Sequence, residues 1–185
     1  MKLKALGKYS ILFLLLPVII TSCKKTSTLV QGNVAIQMPM VTFTIQANQT
    51  STDTTISVYY NVDSAIRKSN ASFNITNIKS VTATAVNSAL TGPTDAIDNF
   101  GNVSSLAVSI TSTSDNTNAV FAQVTNNPNS YATVLSIPAN NNVVLKNYFD
   151  ASSFNFTFNG TLSTATTIPL QAQAIIQFNI VVGPN

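Results

Sequence analysis

The 185-residue chain is 45% hydrophobic and only 8% charged, with seven prolines, six glycines and one cysteine, enough apolar material for the core of one domain. Its formal charge of +3 comes from Lys2, Lys4 and Lys8; from Cys23 onward six cations face six aspartates, with Arg67 the one arginine, which leaves no electrostatic footprint for nucleic acid. Histidine, tryptophan and glutamate are absent, removing the commonest general base and zinc ligand.

Met1 to Ser10 carries three lysines and no acid, and Ile11 to Ile20 is apolar apart from Pro17. A basic segment before an apolar run of about ten residues is the pattern of a secretory leader, well short of the roughly 20 residues a membrane-spanning helix needs. The run ends in Ile20-Thr21-Ser22-Cys23, which resembles the lipobox of bacterial lipoproteins: an aliphatic residue, two small residues and the cysteine that takes the lipid. The resemblance implies a signal peptide over residues 1–22, lipidation of Cys23, a lipidated N-terminus and short linker over 23–28, and a folded domain over 29–185. Each buried methylene contributes about 0.8 kcal/mol, so one acyl chain binds marginally while two or three hold firmly. Lys24 to Thr28 as an extended linker reaches at most about 17 Å, which keeps the domain close to the bilayer.

From Leu29 onward the pattern is β. Val41 to Gln46 alternates apolar with polar, as a half-buried strand does. Asn48 to Asp53 reads as a polar turn, and Thr54 to Val62 carries Ile56, Val58 and Tyr60 on one face. Asp63 to Ser69 reads as a helical turn or an exposed crossover, and Ile78 to Val86 as a strand. Leu90 to Asn102 contains Gly92-Pro93 and reads as loop, with a short helical turn over Asp95 to Phe100. Leu106 to Ile110 and Ala119 to Thr125 flank a turn and form a hairpin by their spacing.

After Asn126-Asn127-Pro128-Asn129, Tyr131 to Ile137 is the next strand. Asn140-Asn141-Asn142 breaks the chain before Val143-Val144-Leu145, and Lys146 to Ser152 has room for one helical turn. Phe154 to Phe158 alternates cleanly and closes on Asn159-Gly160. The last strand is long: Ala172, Ala174, Ile176, Phe178, Ile180 and Val182 share one face, and Gln171, Gln173, Gln177 and Asn179 mostly the other. Eight or nine short strands with Asn-rich turns specify an all-β, antiparallel β-sandwich, immunoglobulin-like or a related Greek key. A closed barrel is the competing architecture.

No residue constellation points to catalysis, a cofactor or a metal. The serines sit in no Gly-x-Ser-x-Gly elbow. Asp95 and Asp98 are the close acid pair; they offer oxygens to calcium or, in the plainer reading, cap a turn. Tyr131, Tyr148 and Phe149 stand beside amide-rich loops, a combination suited either to stacking on a glycan or to the first core aromatics of strands.

Ile20 to Cys23, the short linker and the Asn/Thr-rich β domain together resemble the small outer-membrane lipoproteins of Bacteroidota. The anchor, the sandwich pattern and the missing catalytic residue types together point to a non-catalytic cell-envelope lipoprotein serving as a protein-interaction or structural module, held to the membrane by its N-terminal lipid. The alternatives are a glycan-binding accessory of the outer membrane and a pilus- or adhesin-type subunit that exchanges the strand Ile168 to Val182. Surface export in that group goes with acids after the cysteine; Lys24-Lys25-Thr26 departs from this and favours the periplasmic face. Asp53-Thr54-Thr55 and Asp63-Ser64-Ala65 resemble the group's O-glycosylation motif.

Overall fold

The computed structural model describes residues 31–112 and 116–185. The lipobox, Cys23, the linker and the expected strand onset at Leu29 lie outside the described residues, as does Asp115. Among the described residues nine strands form two antiparallel sheets: β1 (Gly32–Gln37), β2 (Val41–Ile45), β3 (Ser51–Tyr59), β4 (Ile78–Leu90), β5 (Val103–Thr111), β6 (Asn118–Thr125), β7 (Val134–Ile137), β8 (Ser153–Leu162) and β9 (Leu170–Val182). A single α-helix among the described residues, α1 (Val62–Ser69), follows β3; Asn61 caps it by accepting from the Ser64 amide at 2.8 Å. No helix among the described residues is long and apolar enough to cross a membrane.

The pairing follows one rule. β2 pairs with β9, β3 with β8, β4 with β7 and β5 with β6, so strands pair from the outside of the sequence inward, as in a long hairpin. Rolling that hairpin gives one sheet ordered β2-β9-β4-β7 and a second ordered β3-β8-β5-β6, the double Greek key of a jelly roll. Of the Greek-key sandwiches expected from the sequence, the strand order therefore selects this one. β1 extends the first sheet by pairing with the C-terminal half of β9, beside the half that β2 occupies.

Apolar residues at every second position place the core between the sheets. On β9 the run Leu170, Ala172, Ala174, Ile176, Phe178, Ile180 and Val182 is buried, the face expected from its period. β8 supplies Phe154, Phe156 and Phe158 from the opposite sheet, all buried. Phe158 stacks on Phe43 of β2 with ring centroids 4.4 Å apart, and Phe121 and Phe149 pack on Phe178 at 5.4 and 5.0 Å. Such pairs contribute about 0.5–1.5 kcal/mol beyond the area they bury.

Local expectations are corrected at three places. Asn159-Gly160 does not close β8; the strand runs through it to Leu162, pairing Gly160 with both Thr52 and Leu106. A Cβ at Gly160 would collide with the Ser105 carbonyl oxygen and approach Leu106 Cδ1, so this glycine serves a close approach of β8 to β5 and not a turn. Asp53 likewise lies inside β3 and not in the preceding turn, which is tightened by Asn48 at φ 59°. The apolar run Val143-Val144-Leu145 forms no strand: Leu145 is buried and leads into a 3-10 turn at Lys146–Tyr148.

Candidate functional site

In a strand, side chains alternate between faces, so the residues between the core positions of the second sheet must share its outward surface. On β3 these are Ser51, Asp53, Thr55, Ser57 and Tyr59. β8 adds Ser153, Asn155, Thr157, Asn159 and Thr161, and the register aligns them with β5 and β6. One row across the sheet reads Ser51, Thr161, Ser105, Thr125; the next Asp53, Asn159, Ala107, Gln123; then Thr55, Thr157, Ser109, Val120; then Ser57, Asn155, Thr111, Asn118. Tyr59 opposite Ser153 closes the series. Asp53 is the one charge among them.

The hydroxyls and amides are tied to one another across strands. Thr55 Oγ1 and Thr157 Oγ1 are 2.8 Å apart, Ser57 Oγ donates to Asn155 Oδ1 at 2.7 Å, and Thr161 Oγ1 lies 2.8 Å from Ser104 Oγ and 2.7 Å from Ser105 Oγ. Neighbouring strands are about 4.8 Å apart and like-facing residues along a strand about 6.8 Å, so the face is a lattice of short polar groups. Tyr59 stands at one end with 71% of its surface exposed. The sequence contained the signal for this face, in the parity of Ser51 to Tyr59, but the reading of Asn48 to Asp53 as a turn hid the first half of it.

The outward face of the first sheet is different in kind. Gln37, Gln177 and Ala85 share one row, with Gln177 Nε2 donating to Gln37 Oε1 at 3.1 Å, and Thr42, Gln173, Ala89 and Val134 share another. Its register is broken in β4 between Ala83 and Ala85, next to a recess of about 360 Å³ lined by Ala35, Gln37, Thr84, Gln177 and Asn179 among others.

The aromatic trio singled out from the sequence does not converge. Tyr131 is 60% exposed, with its hydroxyl 2.8 Å from Thr94 Oγ1; Tyr148 is half-buried against the core; Phe149 is buried and belongs to the ring cluster with Phe154 and Phe178. The strand offered for exchange, Ile168 to Val182, has no free edge along β9: β1 and β2 pair with one side and β4 with the other.

Asp95 and Asp98 are both engaged by the protein itself. Asp95 Oδ1 accepts from the amides of Ile97 and Asp98 at 2.7 and 2.8 Å, the turn-capping role. Asp98 is buried and accepts from Thr167 Oγ1 at 2.6 Å, from the Thr167 amide at 2.7 Å and from the Ile168 amide. The Thr167 hydroxyl, with these amides, holds its carboxyl below the usual carboxylate range despite burial. Asp98 thus ties the loop after β4 to the β8–β9 connection. Among the described residues, no three His, Cys, Asp or Glu side chains lie together as a metal cluster.

The two short acid-led motifs differ in presentation. Thr54 lies on the inward-facing parity of β3 and is half-buried, whereas Ser64 is exposed in the first turn of α1. Asp63 beside it accepts from Arg67 Nε at 2.6 Å and from the Ile75 amide at 2.8 Å; the Arg67 guanidinium, first, and that amide hold its carboxyl low.

No family model matches the chain. No curated protein matches it. Among solved structures, a chain of Desmodium yellow mottle tymovirus is similar over 85% of this chain and 90% of the viral one, at 15% identity and a TM-score of 0.27. At that distance the similarity bears on no residue described here.

Proposed function

We propose that the protein is a non-catalytic lipoprotein of the cell envelope, held to the outer membrane through Cys23 with the periplasmic face favoured, whose sandwich is an interaction or structural module. The observation that carries the reading is the outward face of the second sheet, with four rows of mostly short polar side chains, interrupted by Ala107 and Val120, tied in part by cross-strand hydrogen bonds and with one charge among them. Such a face presents donors and acceptors at strand spacing. The lipobox-like Ile20 to Cys23 supports the anchor. In the full-length protein, Cys23→Ala should abolish lipid labelling and release a folded domain from the membrane; firm membrane retention of that variant would overturn the anchor. Crosslinking in the native envelope tests the module, which requires a reproducible partner.

A second reading, a glycan-binding accessory, is favoured by one feature of the same face. Tyr59 adds an exposed ring to the hydroxyl rows, and stacking plus neutral hydrogen bonds is the chemistry that recognises a sugar chain. Retention of the full-length protein on a neutral polysaccharide, lost in Tyr59→Ala, would support it; equal retention by the variant would exclude this face.

A further inference from the structure

A sheet edge exposes unpaired main-chain groups, and proteins blunt such edges with short strands, prolines, bulges, charges or covering segments. Three of the four edges here are blunted. One side of the first sheet is split between β1, of six residues, and β2, of five, with Pro39 between them; the other side is β7, of four residues, followed by the first half of β4, whose pairing with β9 is bulged between Ile78 and Ser80 and between Ala83 and Ala85. In the second sheet the segment after β7 lies along β6: Gln123 N donates to Pro138 O at 3.0 Å, Asn140 N to Phe121 O at 2.7 Å, and Ala122 bridges Ala139.

β3 carries one charge, Asp53, and none of the other devices. It is nine residues long, contains no proline and runs beside β8 without a register shift. Flanking bonds fix the phase of its ladder: Leu162 N donates to Thr50 O at 2.9 Å and Tyr60 N to Ser152 O at 2.8 Å. In an antiparallel ladder, residues that bond the neighbour alternate with residues that face away. The even residues of β3 therefore bond β8. Ser51, Asp53, Thr55, Ser57 and Tyr59 turn their main-chain N–H and C=O groups off the edge, and among the described residues no hydrogen bond covers them.

We propose that this edge pairs with β3 of a second copy of the chain about a twofold axis at Thr55, joining two four-stranded sheets into one of eight strands. Antiparallel pairing sets outward-facing residues opposite each other, and a twofold at Thr55 is the register that uses all five: Thr55 with Thr55, Asp53 with Ser57, Ser51 with Tyr59. The single charge decides in its favour. Asp53 falls opposite the uncharged Ser57, whose hydroxyl proton goes to Asn155 Oδ1, whereas an axis at Asp53 would set two carboxylates against each other, which is destabilising. Such an interface is isologous and closes at two copies. It also makes one continuous hydroxyl surface of the two outward faces, so it deepens the interaction-module reading by naming the partner as a second copy.

The test uses the full-length protein in its membrane and in mild detergent. Thr55→Cys places thiols on residues about 5.5 Å apart across the axis, within reach of a short thiol-to-thiol crosslinker. We expect Thr55→Cys to run mainly as a dimer, while wild type, which reports on Cys23 itself, and Gln123→Cys on the covered β6 side stay monomeric. Thr55→Pro removes an off-edge N–H that β8 does not use and should halve the mass of the detergent-solubilised species. Thr55→Lys, which leaves the ladder intact and sets like charges on the axis, should do the same. The proposal is overturned if Thr55→Cys crosslinks no more than Gln123→Cys, if it crosslinks to a different protein, or if the folded Pro and Lys variants keep the wild-type mass. Thiol crosslinking of wild type would instead report an unlipidated Cys23, a failure of the anchor and not of the edge.

Discussion

The two outward faces of the sandwich are built from the same few residue types yet present different surfaces. The first sheet carries long amides, Gln37, Gln171, Gln173 and Gln177, over a β4 whose register slips between Ala83 and Ala85. The second carries hydroxyls one bond from the strand, held to each other by short cross-strand hydrogen bonds. The second sheet's register slips too, in β5 at Val103/Ser105 and Val108/Ser109, but its short side chains keep the face low and leave the unshifted β3 edge unshielded. Long amides on the first sheet are matched by edges that are short or split. Face chemistry and edge protection thus vary together, and the sheet with the ordered face is also the sheet with the open edge.

Substitutions that separate the inward from the outward layer of β8 would sharpen this contrast. Phe158→Ala removes the ring stacked on Phe43 and should cost about 3–5 kcal/mol, read as a fall in the denaturant midpoint. Gly160→Ala inserts a methyl against the Ser105 carbonyl and should cost about 1–3 kcal/mol; a neutral result would show that β5 yields there. Asp98 gives a conditional effect. Its carboxyl is held low in the fold, so its contribution is complete above the ordinary aspartate value of about 3.9 and is lost as pH falls through the depressed one. Melting of Asp98→Asn should therefore vary less with pH across that acid window than melting of wild type. The outward pair comes last: Thr55→Ala with Thr157→Ala should couple by about 0.2–1 kcal/mol in a double-mutant cycle. Coupling as large as the Phe158 effect would erase the distinction between layers.

Much of the fold was legible because alternation is a local signal. Leu170 to Val182 reads as a strand with one buried face, and the structure buries that face throughout. What alternation cannot carry is the neighbour's backbone. Asn159-Gly160 has the composition of a turn, and only the approach of Ser105 on β5 makes it a strand interior. The face escaped for a related reason. Its polar residues match turn composition, so Ser51 and Asp53 read as the end of a loop although their spacing to Thr55, Ser57 and Tyr59 is that of a strand. The trio Tyr131, Tyr148 and Phe149 failed to converge because nearness to an Asn-rich loop says nothing about which way a ring points.

The outside-in pairing of the strands has a consequence for when the protein can fold. β9 lies between the strands nearest the start of the domain and β4, with Gly32 opposite Val182 and Val41 opposite Ala174. The first sheet therefore has no interior until the segment up to Val182 is free to insert. Contacts this far apart in sequence close slowly, because the loop entropy is lost before the pairing rewards it. A chain emerging N-terminus first has every strand of the second sheet once Leu162 is out, while the first sheet closes last. Under the lipoprotein proposal, in which the chain crosses a membrane as an unfolded thread, this topology leaves the first sheet open until passage is complete.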